Sequence, residues 1–233
     1  MPTRIFAIFA VPAVAVLVLF IVLGAIIWWP IAILSIPAAL GIVAWFWWRS
    51  DDAVLRSLGA RPLGQMEGQR VLNCAENLCL SSGIAQPDIR VIDTPACNLA
   101  TISARRHTLV VTTGLLDELD VMQMEGVIAH GLAKISDGAV MYESLAASAS
   151  PFITGPQRQM ARRWGSGDAG VLAFDLSGVG LTRYPPGLRS ALEKIDTKPT
   201  DVEGAESLGS AWLVPPISQR VPLEQRIEVL WEL

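Results

Sequence analysis

Two long apolar runs near the amino terminus constrain the fold of this chain more than any other feature. The first, Ile5–Ile27, carries no charged residue and is long enough to cross the ~30 Å hydrocarbon core of a bilayer as a helix. The second, Ile31–Trp48, begins directly after Pro30, which cannot continue the hydrogen-bond ladder of a helix. The sequence therefore predicts a transmembrane helical hairpin over residues 1–49, with spans at 5–27 and 31–48.

The residues that flank these runs predict how the hairpin is oriented. A tryptophan pair stands at the end of each run, as in the aromatic belts of membrane proteins: Trp28–Trp29 and Trp47–Trp48. Arginines occur before the first run and after the second, at Arg4, Arg49 and Arg56. Because basic residues favour the cytoplasmic side, we predict a multi-pass protein of the plasma (inner) membrane whose amino terminus and globular domain are cytoplasmic. The hairpin is expected to contact the lipid bilayer and, through its tryptophans, other integral membrane proteins.

The composition of the chain limits what the remaining residues, 50–233, can be. Basic side chains number 18 and acidic ones 22, so the chain lacks the positive surplus of a nucleic-acid-binding domain. The three cysteines, Cys74, Cys79 and Cys97, form an odd set without the spacing of a zinc or redox motif. We therefore predict one globular domain with free thiols and no nucleic-acid partner.

Hydrophobic periodicity predicts that this domain is α+β, mainly helical, with a small antiparallel sheet. Apolar residues at helical spacing predict helices at residues 65–81, 115–120, 121–135, 171–181, 185–195 and 222–233. Alternating apolar residues predict strands at residues 88–93, 97–103 and 108–113. Residues 196–221 contain several prolines and glycines, which indicate a long irregular connection.

The stretch VIAHGLAKISD, Val127–Asp137, holds the candidate chemistry. A zinc peptidase helix carries H-E-x-x-H, in which two histidines one turn apart bind the metal and the glutamate deprotonates the bound water. The five corresponding residues here are His130-Gly131-Leu132-Ala133-Lys134. A glycine cannot move a proton, and a lysine ammonium repels a divalent cation. Only the first histidine of the motif is therefore present.

Other segments, in a fixed order behind the hairpin, give the chain a family resemblance. They are SSGIAQPDIRVIDTPACNLATIS, TLVVTTGLLDELD, QMEGVIAHGLAKISDG, FDLSGVGLTRYPPGLRSALEKI and QRVPLEQRIEVL. With these segments the chain resembles, along nearly its whole length, the HtpX-like membrane zinc metallopeptidases, which are relatives of the CAAX prenyl proteases. The resemblance implies a zincin-like domain, in which a third ligand from a later helix completes the zinc site.

The resemblance also shows which of the family's functional positions have changed. The corresponding positions are His130, Gly131, Lys134, Val171, Asp175 and Arg220. The general base has become glycine, and the second and third ligands have become lysine and valine, while the surrounding apolar positions persist. We interpret these positions as vestigial and predict a pseudopeptidase: no catalytic residue, no enzymatic activity, and no zinc or other cofactor. The chain is then expected to act as an accessory or scaffold subunit of a larger membrane protein complex.

Two alternatives to this interpretation remain open. The first is an active HtpX-like zinc protease with a rearranged metal site, built for example from His107, Asp137 or Asp175. The second is a module that binds a lipid or small molecule in the old cleft. In the scaffold interpretation, the family's substrate-binding edge is expected to hold a partner segment by strand addition. The residues of that edge are Cys97, Asn98, Leu99, Ala100 and Thr101.

Overall fold

One strand lies inside a small sheet and determines how the other three strands are arranged. The computed structural model describes residues 51–64, 68–103, 105–138, 167–203, 208–215 and 222–233, with isolated helical positions between 14 and 49. The strands are β1 Arg61–Pro62, β2 Asp88–Ile92, β3 Leu99–Ser103 and β4 His107–Thr112. Their order across the sheet is β1-β2-β4-β3. β4 consists almost entirely of buried residues, as expected for a strand covered on both faces.

The sheet is mixed, so the prediction of an antiparallel sheet is wrong. β3 pairs with β4 antiparallel, but β2 pairs with β4 parallel over five residue pairs, from Asp88↔Thr108 to Ile92↔Thr112. The reason is the path of the chain. β3 follows β2 in sequence but lies beyond β4, and β4 then returns between them in the direction of β2. Local sequence patterns predicted the strands but contain no information about this order.

Most of the described helices lie within a few residues of their predicted positions, and the α+β class is confirmed. They are α1 Gln69–Ser82, α2 Thr113–Glu118, α3 Val121–Asp137, α4 Gly167–Thr182, α5 Pro185–Asp196 and α6 Leu223–Trp231. α3 is the central helix, since it packs against α1, α4, α5 and strand β3. A core of apolar side chains joins these helices to one face of the sheet. A second cluster covers the other face and includes Val54, Leu58 and Trp212.

The predicted connection at 196–221 contains a buried segment that sequence patterns did not indicate. Residues 208–215, which we call the strap, run along the outer edge of β3. Trp212 forms an antiparallel bridge with Ala100, and the Leu213 N–H donates to the Leu99 carbonyl at 2.7 Å. Asn98 holds the strap with its side chain, which accepts from Val214 N and donates to Val214 O and Thr200 O. The outer edge of β3 is therefore already paired within the chain.

The predicted hairpin at 5–27 and 31–48 lies mostly outside the described residues. Among the residues that the structure describes, no helix combines the length and apolar character needed to cross a bilayer. Positions 48 and 49 are helical, and so are residues 51–57, which precede β1. The domain boundary near residue 50 stays a prediction.

Replacing Asn98 with alanine tests how strongly the strap depends on this side chain. The change removes the Asn98 partner of four buried backbone groups, Leu99 N, Val214 N, Val214 O and Thr200 O, and should lower the free energy of unfolding by about 3 kcal/mol or more. Asn73→Ala is the control, because Asn73 is exposed on α1 and should change stability by less than about 0.5 kcal/mol. Chemical denaturation of both variants measures the difference, and equal values would show that Asn98 does not hold the strap.

Candidate functional site

Helix α3, which carries the candidate residues, is capped at both ends. Asp120 and Gln123 form a capping box at the start of α3, each side chain accepting from the other residue's backbone N–H. Gly138 ends the helix with a φ of 73°, which a glycine adopts without strain. The second half of α3 runs between the sheet and α4, so His130 and Lys134 are both fully buried.

Two glycines set how closely α3 approaches its neighbours. A Cβ on Gly131 would lie 2.8 Å from Leu109 Cδ2 and 3.2 Å from Leu99 Cδ2, in the sheet. A Cβ on Gly178 of α4 would lie 2.8 Å from the His130 backbone nitrogen and 2.9 Å from its Cα. The absence of a side chain at Gly131 therefore allows this close packing, and the family's glutamate would not fit there unless Leu109 moved.

His130 lies against a carboxylate on α4. Its Nδ1 is 2.7 Å from Asp175 Oδ1, although the approach is not aligned as a hydrogen bond. The Phe174 ring meets the imidazole edge-on, with 6.3 Å between ring centroids. The other ring nitrogen, Nε2, is buried and has no hydrogen-bond partner among the described residues. The imidazole is thus oriented from one side by a carboxylate, while its second nitrogen accepts no bond from the part of the chain that the structure describes.

Arg226 of α6 also contacts Asp175 and neutralises its charge. Its Nε and Nη2 donate to Asp175 Oδ2 and Oδ1, both at 2.7 Å, and its Nη1 donates to the Leu213 carbonyl of the strap at 2.7 Å. Both side chains are 1% exposed. A buried carboxylate is tolerated when it is paired and hydrogen-bonded in this bidentate way. Arg226 therefore connects α4, α6 and the strap.

Lys134 fills the position of the family's second ligand. Its Nζ donates to the Trp212 carbonyl at 2.8 Å and lies 6.0 Å from the centre of the Phe174 ring. Lys134 and Arg226 thus each donate to a strap carbonyl, at consecutive residues Trp212 and Leu213. The two cations bind the side of the strap that faces the helices.

The surroundings of His130 and Asp175 shift the pKa values of both side chains, so that one is neutral and the other is charged. Burial and, after it, the nearby Lys134 ammonium lower the pKa of His130 to about 4, because Asp175 only partly opposes them. Burial alone would raise the pKa of Asp175, but the Arg226 guanidinium and His130 hold it well below its usual range. At neutral pH the imidazole is neutral beside an ionised carboxylate. The ring proton then belongs on Nδ1, which leaves a lone pair on Nε2.

The structure brings together some of the predicted positions but not all of them. His130, Lys134 and Asp175 meet in one buried cluster, and Val171 is buried one turn before Asp175. Gly131 faces the sheet instead. Arg220 lies outside the described residues.

The residues that the sequence suggested for a rearranged metal site do not lie together. His107 is exposed at the start of β4, where its Nδ1 is 2.8 Å from Ser103 Oγ, and Asp137 is exposed at the end of α3. Asp175 is buried on α4 and paired with Arg226. Within the described ranges, no three His, Cys, Asp or Glu side chains are placed so that they could hold a metal ion.

Sequence reasoning did not find two residues that contact this buried cluster, Arg226 and Trp212. Arg226 occupies the same helical face as Leu223 and Leu230, and all three are buried. A charge within an apolar helical stripe was the available signal, since a buried arginine requires an anionic partner. For Trp212 the signal was the apolar run AWLV within a polar connection, Ala211–Val214.

The partner-binding edge predicted at 97–101 is fully buried. Cys97, Asn98, Leu99, Ala100 and Thr101 are each at most 1% exposed, and the strap covers the outer side of the strand. A partner strand would have to replace the strap. Binding at this edge stays a prediction.

Comparison with known proteins assigns the chain to a family. No protein-family model matches it. A protein of Dictyoglomus thermophilum named Protease HtpX homolog is 30% identical over 226 residues, which cover 78% of this chain and 75% of that protein. The chain belongs to the HtpX protease family. A Tropheryma whipplei relative of the same name is 27% identical over 248 residues, covering 86% of this chain and 84% of the relative. The match to the HtpX homolog of Bacteroides fragilis is shorter, at 34% identity over 100 residues, and spans only 31% of that protein.

Family membership confirms the HtpX resemblance and corrects two predictions. The relatives are named proteases, so the prediction that the chain is not an enzyme is wrong. The prediction that zinc is absent is wrong for the same reason, because the resemblance is to zinc peptidases and a zinc cofactor is expected of a member. Membership also supports a membrane location.

The residues around His130 do not fit the zinc site that the family implies. His130 offers one nitrogen, but the positions of the other two ligands hold Lys134, whose ammonium donates to the strap, and the apolar Val171. The carboxylate nearest to His130 is already bound by Arg226. A site of three protein ligands cannot form from these side chains in this arrangement.

A glycine substitution on α4 tests the close approach of the two helices. Gly178→Ala places a methyl group against the His130 backbone, so α4 must move, and the free energy of unfolding should fall by about 2 kcal/mol. Gly180→Ala is the matched control, since it lies on the same helix with nothing within 4 Å and should gain up to ~1 kcal/mol from helix propensity. Thermal or chemical unfolding distinguishes them, and equal effects would contradict the close packing.

The low pKa of His130 predicts a loss of stability in acid. The unfolded chain binds a proton at His130 near pH 6.5 but the folded chain only near pH 4, so stability falls as pH falls between these values, by up to about 3 kcal/mol. Asp175 adds to this loss at lower pH, because its folded pKa is also depressed. Unfolding free energies measured from pH 7 to 4 should show a flatter slope for His130→Gln than for the wild type. A wild-type slope in His130→Gln would rule out a buried neutral His130.

Proposed function

We propose that this chain is a membrane-associated peptidase of the HtpX type whose reactive centre is rearranged around His130 and Lys134. The observation that carries the proposal is the hydrogen bond from Lys134 Nζ to the carbonyl of Trp212. Trp212 belongs to a segment paired with the edge strand β3, the position where a zincin-like enzyme holds its substrate. The site thus already directs a cation at the backbone carbonyl of a residue that is bridged to β3.

In this proposal, a substrate peptide takes the place now held by residues 211–213. It pairs with Leu99 and Ala100 through backbone hydrogen bonds, as the strap does. Its reactive carbonyl accepts from Lys134, and its next carbonyl accepts from Arg226. A fixed cation in a water-poor site stabilises the negative charge that develops on the carbonyl oxygen during attack.

His130 supplies the proton transfer. Its neutral imidazole, with the proton on Nδ1 facing Asp175, presents the Nε2 lone pair as a general base. Nε2 takes a proton from water as the oxygen attacks the carbonyl carbon, and returns it to the leaving amine when the C–N bond breaks. Asp175 positions the ring and stabilises the transient imidazolium. This assignment departs from the sequence interpretation of His130 as vestigial, and none of its steps uses the zinc that the family implies.

We also propose that the amino-terminal hairpin holds the domain at the cytoplasmic face of the membrane and contacts other integral membrane proteins. The tryptophan pairs and the flanking arginines of the sequence support this orientation.

The peptidase proposal is tested with the purified full-length chain in detergent and a quenched fluorescent derivative of unfolded casein, with and without added zinc. The wild type should cleave the probe. His130→Gln should lower kcat by about 100-fold or more, because general-base catalysis is lost. Lys134→Met, which removes the charge but keeps the length of the side chain, should also lower kcat. His107→Gln should leave the rate unchanged, since His107 is exposed on β4.

Two results would contradict the proposal. One is the absence of cleavage by the folded wild type under both metal conditions. The other is a wild-type rate in His130→Gln. Metal analysis of the same samples shows whether zinc is bound, and zinc that remains in His130→Gln would place its ligands away from this cluster.

A further inference from the structure

A surface of arginine and tryptophan side chains forms where the helical positions 45, 48 and 49 lie beside the turn between β3 and β4. The Arg49 guanidinium lies 5.6 Å from the centre of the Trp45 ring, and that of Arg105 lies 5.8 Å from the Trp48 ring. Trp45 and Trp48 are 56% and 66% exposed, and both arginines are exposed as well. We call Trp45, Trp48, Arg49, Arg105 and Arg106 the Arg–Trp surface. It joins two elements that are distant in sequence.

A buried carboxylate fixes the geometry of this surface. Asp51 is 2% exposed, and its Oδ2 accepts from the backbone N–H groups of Arg105 and Arg106 at 3.1 and 2.8 Å. The turn is therefore attached to the helix through its backbone, independently of the arginine side chains. This contact places the guanidinium groups of Arg105 and Arg106 beside the helix end while both side chains stay exposed.

The charge of the surface is positive although the chain as a whole is negative. Arg49, Arg105 and Arg106 carry the positive charge, and Arg56 lies in the helical residues 51–57 that follow Arg49 in sequence. The nearby acidic groups are Asp51, which is buried and bonded to the turn, and Asp52, whose exposed pair with Arg106 is 3.3 Å long. Exposed pairs of this kind are weak, so the pair does not cancel the attraction of the surface for anions.

We propose that the Arg–Trp surface binds the anionic head groups of phospholipids at the membrane surface. Guanidinium groups bind phosphate oxygens in a bidentate way, and tryptophan rings favour the depth of the head groups. The surface follows the second apolar run directly, so a hairpin inserted as predicted would place it at the bilayer boundary. The occupant is thus a lipid of the surrounding membrane, and the inference does not depend on the proposed peptidase activity.

The test uses the full-length chain in detergent, titrated with phosphatidylglycerol or phosphatidylcholine and analysed by native mass spectrometry for retained lipid. The wild type should prefer phosphatidylglycerol. Arg105→Gln/Arg106→Gln should weaken the binding of phosphatidylglycerol by about 20-fold, because each arginine near a membrane surface contributes roughly fivefold to the affinity. The backbone bonds to Asp51 remain in this variant, so its unfolding without lipid should match the wild type.

A charge-matched control separates a local site from general electrostatic attraction. Arg70→Gln/Arg183→Gln removes two exposed arginines elsewhere, since Arg70 donates to Leu116, at the opposite end of β4 from the turn. It should keep the wild-type preference. Equal weakening by both double variants, or no preference in the wild type, would overturn the proposal. Displacement of the lipid by millimolar inorganic phosphate would also overturn it, because the surface would then bind a free anion and not a membrane lipid.

Discussion

The bidentate ion pair between Asp175 and Arg226 holds the centre of this domain together. Removing two such charges from water costs several kcal/mol per ion, and only a complete set of hydrogen bonds offsets that cost. The set is complete here because the third nitrogen of Arg226 binds the Leu213 carbonyl of the strap. The ionised Asp175 in turn determines which nitrogen of His130 holds the proton. The positions of α4, α6 and the strap therefore depend on one carboxylate.

The positions that the family resemblance assigns to the zinc site are occupied by a different polar cluster. Where a zinc peptidase has imidazole and carboxylate ligands, this chain has Lys134 and Val171, with His130 and Asp175 retained. The change extends to the backbone, because Gly131 and Gly178 let the helix approach its neighbours at distances that a side chain would prevent. Restoring the family's glutamate and histidine by substitution would thus require repacking of the sheet face as well as new ligands.

Local patterns predicted the helices and strands but not what joins them. Periodicity placed α3 and β4 correctly because their apolar residues recur at fixed spacing along the chain. The parallel pairing of β2 with β4 depends on chain direction between distant segments, which periodicity does not encode. The contacts of Arg226 and Trp212 span many residues for the same reason. The site was predictable at His130, Lys134 and Asp175 because the family resemblance aligned them, whereas the strap lay in a connection without a regular pattern.

The strap both stabilises the domain and blocks the edge of β3 to an incoming peptide. A peptide can pair with this strand only if residues 211–213 leave, and their departure exposes Trp212, which is fully buried. It also removes the carbonyl partners of Lys134 and Arg226, two buried cations, and the Val214 partners of Asn98. An incoming peptide restores these bonds if it presents carbonyls at the same spacing and an apolar side chain in the Trp212 position. The proposed function therefore implies selectivity for segments with an apolar side chain at this position, because the peptide must compete with the strap for the same contacts.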